Sequence, residues 1–165
     1  TVTTFEVTTA VTTIINDEIS IRLNSGVDTV EINGEWVDNG ADLIINGGAH
    51  PMFTLDTVDV TKSGIYIIHY AYTHGETIYE IDRYVIVIDQ MPPVITLNLG
   101  IDTILLGEAW IDESVTVVDN SNEEIEIVVT GTVNTSVVGT YEITYTATDS
   151  SGNSSSVKRF VTVYG

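Results

Sequence analysis

The chain has 165 residues, 43% hydrophobic and 18% charged, which suits one large domain or two small ones and is too apolar for a disordered segment. Twenty-four acidic residues against five basic ones leave a net charge of −19; such a surface repels nucleic acid and anionic membranes and offers carboxylates to divalent cations, which prefer hard oxygen ligands. No cysteine is present, so disulfides, thiolate zinc sites and a cysteine nucleophile are excluded.

Residues 1–16 come first as a leading strand. Phe5-Glu6-Val7 followed by Val11 to Ile15 repeats the pattern of Tyr79-Glu80-Ile81 followed by Val85 to Ile88, which predicts either the final strand of a preceding repeat or a strand borrowed by the domain that follows. The start at Thr1, without methionine or a signal-like apolar block, predicts a piece of a longer protein whose targeting segments lie outside it. No apolar run approaches the ~18 residues of a membrane-spanning helix.

Residues 17–89 are predicted to form a first domain and residues 90–165 a second. Valine, isoleucine, threonine and tyrosine dominate, a bias toward pleated, half-buried surfaces. Ile65 to Ala71 alternates with Tyr66, Ile68 and Tyr70 on one face, and Thr140 to Ala147 places Tyr141, Ile143, Tyr145 and Ala147 opposite Glu142, Thr144 and Thr146; both read as strands with one buried face. These strands belong to a repeat. Gly26-Val27-Asp28-Thr29-Val30 matches Gly100-Ile101-Asp102-Thr103-Ile104, Gly34-Glu35-Trp36 leads to Asp38 as Gly107-Glu108-Ala109-Trp110 leads to Asp112, and Arg83-Tyr84-Val85 matches Arg159-Phe160-Val161, with an offset that drifts only from 73 to 76 residues. A unit of about 75 residues is therefore present twice. Between the copies, Pro92-Pro93 restricts the chain to extended conformations. The charge divides into −10 for residues 17–89 and −8 for residues 90–165, with −1 in the first sixteen, and the repulsion predicts an extended pair.

A proline-rich entry, a Gly-Glu-Ala-Trp turn, Gly139-Thr140-Tyr141-Glu142-Ile143-Thr144-Tyr145-Thr146-Ala147-Thr148-Asp149 and Ser151-Gly152-Asn153 before a last valine-rich strand resemble the bacterial surface-protein immunoglobulin-like family. The resemblance covers residues 92–163 and, through the repeat, most of the first copy. It implies two tandem all-β Greek-key sandwiches, a secreted or cell-surface location and a spacer, adhesion or accessory role. Short strands separated by Gly, Asn, Asp and Ser turns suit the same fold. Trp36 and Trp110 at equivalent positions read as core plugs.

The poles of such a sandwich group the chemistry-bearing residues. The loop Asp119 to Glu123, the loop Asp149 to Asn153 and Asp89 of the linker fall at one end, so Asp89, Asp119, Asp149 and Asn153 form a candidate calcium set. The alternative is that Asp119 and Asp149 only make Asx turns. In the first copy His50, His74 and Glu76, with Asp17 nearby, are the right ligand types for zinc or nickel, or else ordinary loop residues. His69 is predicted to be exposed. No Gly-x-Ser-x-Gly elbow is present and no triad recurs in both copies, and the two lysines, Lys62 and Lys158, suit solvent better than an isopeptide cross-link. The sequence thus predicts a non-catalytic spacer that requires no cofactor, offers at its domain junction either a calcium set or plain turn residues, inserts in no membrane, binds no nucleic acid, and has neighbouring repeats or domains of its parent protein as partners. The rival is a glycan- or host-protein-binding module, perhaps attached to an extracellular hydrolase, with Tyr70, Tyr72, Tyr79 and Tyr84 as an aromatic platform.

Overall fold

The computed structural model describes residues 7–165. The Phe5-Glu6 part of the leading pattern lies outside the described residues. The chain divides into two units, residues 1–89 and residues 90–165, each built from strands alone among the described residues.

The first unit contains β1 (Val7–Thr8), β2 (Val11–Ile14), β3 (Ile19–Leu23), β4 (Gly26–Val27), β5 (Thr29–Glu31), β6 (Ala41–Ile45), β7 (Gly48–Pro51), β8 (Gly64–His74) and β9 (Thr77–Ile88). One sheet has the order β2-β3-β6-β7, a second β5-β9-β8, and β1 pairs with β4. Every pairing is antiparallel except β5 with β9, where Thr29 lies opposite Ile86 and Val30 opposite Val87. The β8–β9 hairpin is closed by His74 opposite Thr77 across Gly75, whose φ of +62° suits the turn. Alternation then sends Ile68 and Tyr70 inward, where they meet Ile21, Leu23, Leu43, Met52 and Val85 of the facing sheet and its neighbours.

The second unit contains β10 (Val94–Leu97), β11 (Thr103–Leu105), β12 (Val115–Val118), β13 (Glu126–Thr130), β14 (Gly139–Thr148) and β15 (Ser154–Tyr164). β10 pairs with β12, and the larger sheet runs β11-β15-β14-β13 with β11 parallel to β15. Ile143, Tyr145 and Ala147 point inward beside Val161 and Val163, all at 2% exposure or less, as their alternation in the sequence predicts. The all-β, sandwich-type architecture implied by the resemblance is the one these strands form, and no sheet closes into a barrel. Glu126 begins an exposed strand, a placement that discourages strand-to-strand aggregation.

Candidate functional site

The last long strand of each unit carries an arginine on its inner face. In the first unit Arg83 is 1% exposed. Its Nη1 donates to both carboxylate oxygens of Asp28, at 3.1 and 2.8 Å, its Nη2 to the carbonyls of Asn24 and Gly40 at 2.6 and 3.0 Å, and its Nε to the Tyr70 hydroxyl at 3.2 Å. Tyr70 donates in turn to Asp38, whose Oδ1 also accepts the Gly40 N–H at 2.8 Å. Trp36 adds its indole N–H to Asp28 at 3.5 Å. One guanidinium thus ties the chain entering β5, the turn before β6, and β8 and β9 together.

The second unit repeats this arrangement except at the guanidinium Nε, which is buried and has no hydrogen-bond partner among the described residues. Arg159 Nη1 donates to Asp102 at 2.8 Å and Nη2 to the carbonyls of Asn98 and Ser114 at 2.8 and 3.0 Å; Tyr145 donates to Asp112 at 2.5 Å, Asp112 accepts the Ser114 N–H at 2.8 Å, and Trp110 donates to Asp102 at 3.3 Å. Gly40 and Ser114 both adopt positive φ, +73° and +58°, so their carbonyls turn toward the guanidinium. Burial, then the hydrogen bond to an aspartate, raises the phenols of Tyr70 and Tyr145 above their ordinary value. The sequence repeat marks the arginines, aspartates and tryptophans of both braces, yet nothing local in it shows that the arginines are buried. The one available signal is strand alternation, which puts Arg83 in phase with Val85 and Val87 and Arg159 in phase with Val161 and Val163. Trp36 and Trp110 are half-buried rather than enclosed, because each indole lies at the rim of its brace and keeps its N–H on an aspartate.

The acidic loops expected to share a pole of the second unit do so. Asp119 directly follows β12 and Asp149 directly follows β14, and a carboxylate oxygen of each lies within 4.8 Å of the other. Asp149 is buried; its Oδ1 accepts the Asn153 N–H and its Oδ2 the Asn153 amide, both at 2.8 Å, which closes the loop on itself. Asp119 Oδ2 accepts the N–H of Ser121 at 2.9 Å and its hydroxyl. Asp119 therefore makes an Asx turn with Ser121 two residues on, whereas Asp149 spans a wider loop to Asn153 four residues on. Asp119 Oδ1 differs: it is buried and accepts no hydrogen bond among the described residues. The Pro93 carbonyl, held by the Ser155 hydroxyl, brings the beginning of the unit to the strand that follows the Asp149 loop. Asp89, which closes the first unit, is buried as well.

The transition-metal candidates are not assembled. His50 packs its ring on Tyr72 with centroids 5.7 Å apart, His74 and Glu76 lie exposed at the β8–β9 turn, and among the described residues these three, with Asp17, form no ligand cluster. His69 is exposed, with Nδ1 at 2.6 Å from Asp82 and Nε2 at 3.2 Å from Glu80. Lys158 pairs with Glu142 at 2.8 Å across the outer face of the β14–β15 pair. Of the candidate aromatic platform, Tyr70 is buried, Tyr72 and Tyr79 are half-buried, and Tyr84 alone is exposed, at 59%. Ile67 opposite Tyr84, and Ile65 opposite Ile86, extend that one exposed ring into an outward apolar strip.

Residues 100–163 match the model of a family described as bacterial surface protein, Ig-like domain. No curated protein matches the chain.

Proposed function

We propose, from the premise that residues 100–163 form a bacterial surface-protein Ig-like domain, that the chain is a non-catalytic spacer or stalk module of a secreted or cell-surface bacterial protein, stiffened by calcium at the linker. The observation that carries the spacer reading is where the charged groups of the interior are used. Arg83, Asp28 and Asp38 in one unit, and Arg159, Asp102 and Asp112 in the other, are bonded to the chain itself, so they brace strands instead of facing a substrate. No helix among the described residues is long and apolar enough to cross a membrane.

Calcium is supported by Asp119 and Asp149. Two carboxylates repel at this separation, and the buried Oδ1 of Asp119 lacks the hydrogen bond that a buried oxygen ordinarily receives. A cation with a flexible shell of six to eight oxygens answers both needs. Asp89, one peptide bond before the second unit begins, is the third acid we assign to it, and Asn153 holds the Asp149 loop in place.

Calorimetry of the chain in 1 mM calcium and again in EDTA tests this reading. Binding with a Kd of about 10 μM stabilises the folded state by about 2.7 kcal/mol, a Tm rise on the order of 10 °C for a unit of this size. The rise should vanish in Asp119→Ala. Equal traces in calcium and EDTA remove the calcium clamp and leave the aspartates as turn residues.

A second reading, recognition of a glycan or protein ligand, is favoured by the strip of Ile65, Ile67, Tyr84 and Ile86. Its counterpart positions in the second unit hold Thr140, Glu142, Phe160 and Thr162, so the apolar strip belongs to the first unit alone. Saturable binding to a ligand array that is lost in Tyr84→Ala would establish this reading in place of a plain spacer.

A further inference from the structure

In the first unit, residues 7–14 complete a sheet edge. β2 lies against β3 with Val11 opposite Leu23 and Thr13 opposite Ile21, and β1 continues along β4 with Val7 opposite Val27. Beneath them Ile21 and Leu23 are 4% and 7% exposed.

Among the described residues the second unit has the acceptor edge and no strand paired with it. Asn24 and Asn98 are equivalent, since each donates its N–H to the residue before β6 or β12 and each carbonyl accepts an arginine Nη2. Counting from them, Ile21, Leu23 and Val27 correspond to Ile95, Leu97 and Ile101. Among the described residues β10 pairs with β12 alone, and Gly100-Ile101 pairs with no strand. Here Ile95 and Leu97 are half-buried, while Val94, Leu99 and Ile101 are 65%, 98% and 76% exposed. An open groove of about 410 Å³ continues beside Ile101, lined by Ile104, Glu108, Ala109, Ile111 and Glu113.

The main chain is set for pairing. The Asn98 N–H faces β12, where it donates to the Ser114 carbonyl, and N–H directions alternate along a strand. Those of Leu97 and Ile95 therefore face the open edge. On the donor side Ile15 donates to the Ile19 carbonyl at 3.0 Å, so Val11 and Thr13, in phase with it, direct their N–H groups at β3. Unpaired edges of this kind are templates for another strand.

We propose that β10 and the stretch to Ile101 accept one extended strand from another polypeptide, in the register that residues 7–14 adopt on the first unit. The occupant is uncharged and rich in β-branched residues. Residues 7–14, which fill the counterpart edge, carry no charge, and a chain at −19 disfavours an acidic strand. Main-chain hydrogen bonds supply the affinity, and alternate apolar side chains that cover Leu97 and Ile101 supply the specificity.

The test adds a fluorescent synthetic peptide of residues 7–14 to the full chain, whose first-unit edge is already filled. The expected result is saturable one-to-one binding, with amide exchange slowed at Ile95 and Leu97. A peptide with proline in place of Val11 and Thr13 loses the two donors that face the acceptor and should bind at least tenfold more weakly. Absence of binding, equal binding of the proline peptide, or slowed exchange at Ile21 and Leu23 instead of the second unit would overturn the proposal. So would sedimentation showing that a second copy of the chain occupies the edge and excludes the peptide.

Discussion

Arg83 and Asp28, 55 residues apart, form an ion pair 2.8 Å long in which the guanidinium is 1% and the carboxylate 10% exposed. Removing one partner of a buried pair strands the other, a loss of about 3 to 5 kcal/mol. Arg83→Met should therefore destabilise the first unit by that order, since Asp28 loses its charged partner and the carbonyls of Asn24 and Gly40 each lose a hydrogen bond. Arg159→Met should cost the second unit less, because the side chain of Asp102 is 31% exposed and water can replace the guanidinium there. Urea denaturation followed by tryptophan fluorescence reads both, with Trp36 and Trp110 each reporting its own unit. Equal losses in the two variants would contradict this ranking.

The phenols beside those arginines make stability depend on alkaline pH. Tyr70 is raised by burial and by its bond to Asp38, so in the folded state it keeps its proton beyond the ordinary value of 10. A group raised in this way contributes its full stability below the unfolded value and loses it as pH climbs through the folded one. The chain should lose stability above about pH 10, and Tyr70→Phe should flatten that loss while costing about 1 to 3 kcal/mol at neutral pH through the donor lost to Asp38 and the acceptor lost to Arg83 Nε. Absorbance titration of tyrosinate against unfolding checks it: Tyr70 should ionise only as the first unit unfolds.

Much of this fold was legible because strands announce themselves by alternation. Tyr66, Ile68 and Tyr70, and Ile143, Tyr145 and Ala147, needed only a period of two to be assigned to an inner face, and the repeat located the two copies. The same period places Arg83 and Arg159 inside, but a charged residue there is tolerable only with a partner, and Asp28 and Asp102 lie 55 and 57 residues away in the chain. Pairings over that distance follow from the parallel neighbours β5–β9 and β11–β15, which no local pattern encodes. The meeting of Asp119 with Asp149 was legible for a different reason, since sandwich topology alone sends the loops after β12 and β14 to one pole. His50, His74 and Glu76 show the limit of ligand type as a guide. His50 belongs to β7 and turns onto Tyr72, so shared chemistry did not become shared space.

Gly131 and Gly152 separate two causes of glycine intolerance. Both have positive φ, +95° and +88°, but a Cβ at Gly131 would sit 2.2 Å from the Glu142 carbonyl oxygen, whereas one at Gly152 meets nothing within 4 Å. Gly152→Ala should cost only the left-handed penalty, about 1 to 2 kcal/mol. Gly131→Ala must in addition push β14 away from the residue that follows β13, and the variant should be far less stable or fail to fold. Thermal melts of the two variants side by side decide it, and a Gly131→Ala protein as stable as Gly152→Ala would show that the β13–β14 sheet yields at little cost.

His69 is the group whose titration should be visible near neutral pH. Its hydrogen bond to Asp82, then that to Glu80, raise it above the ordinary 6.5, because both carboxylates favour the protonated ring. The sign follows from linkage: the contribution is fully present below 6.5 and disappears as pH rises through the higher folded value. His69 should therefore titrate above 6.5 in an NMR pH series of its ring protons. Asp82→Asn, which keeps an acceptor and removes the charge, should bring the midpoint down toward 6.5, and Glu80→Gln should do so by less, as expected from its longer 3.2 Å contact. A midpoint at or below 6.5 in the unaltered chain would mean that water outcompetes both carboxylates on this exposed face.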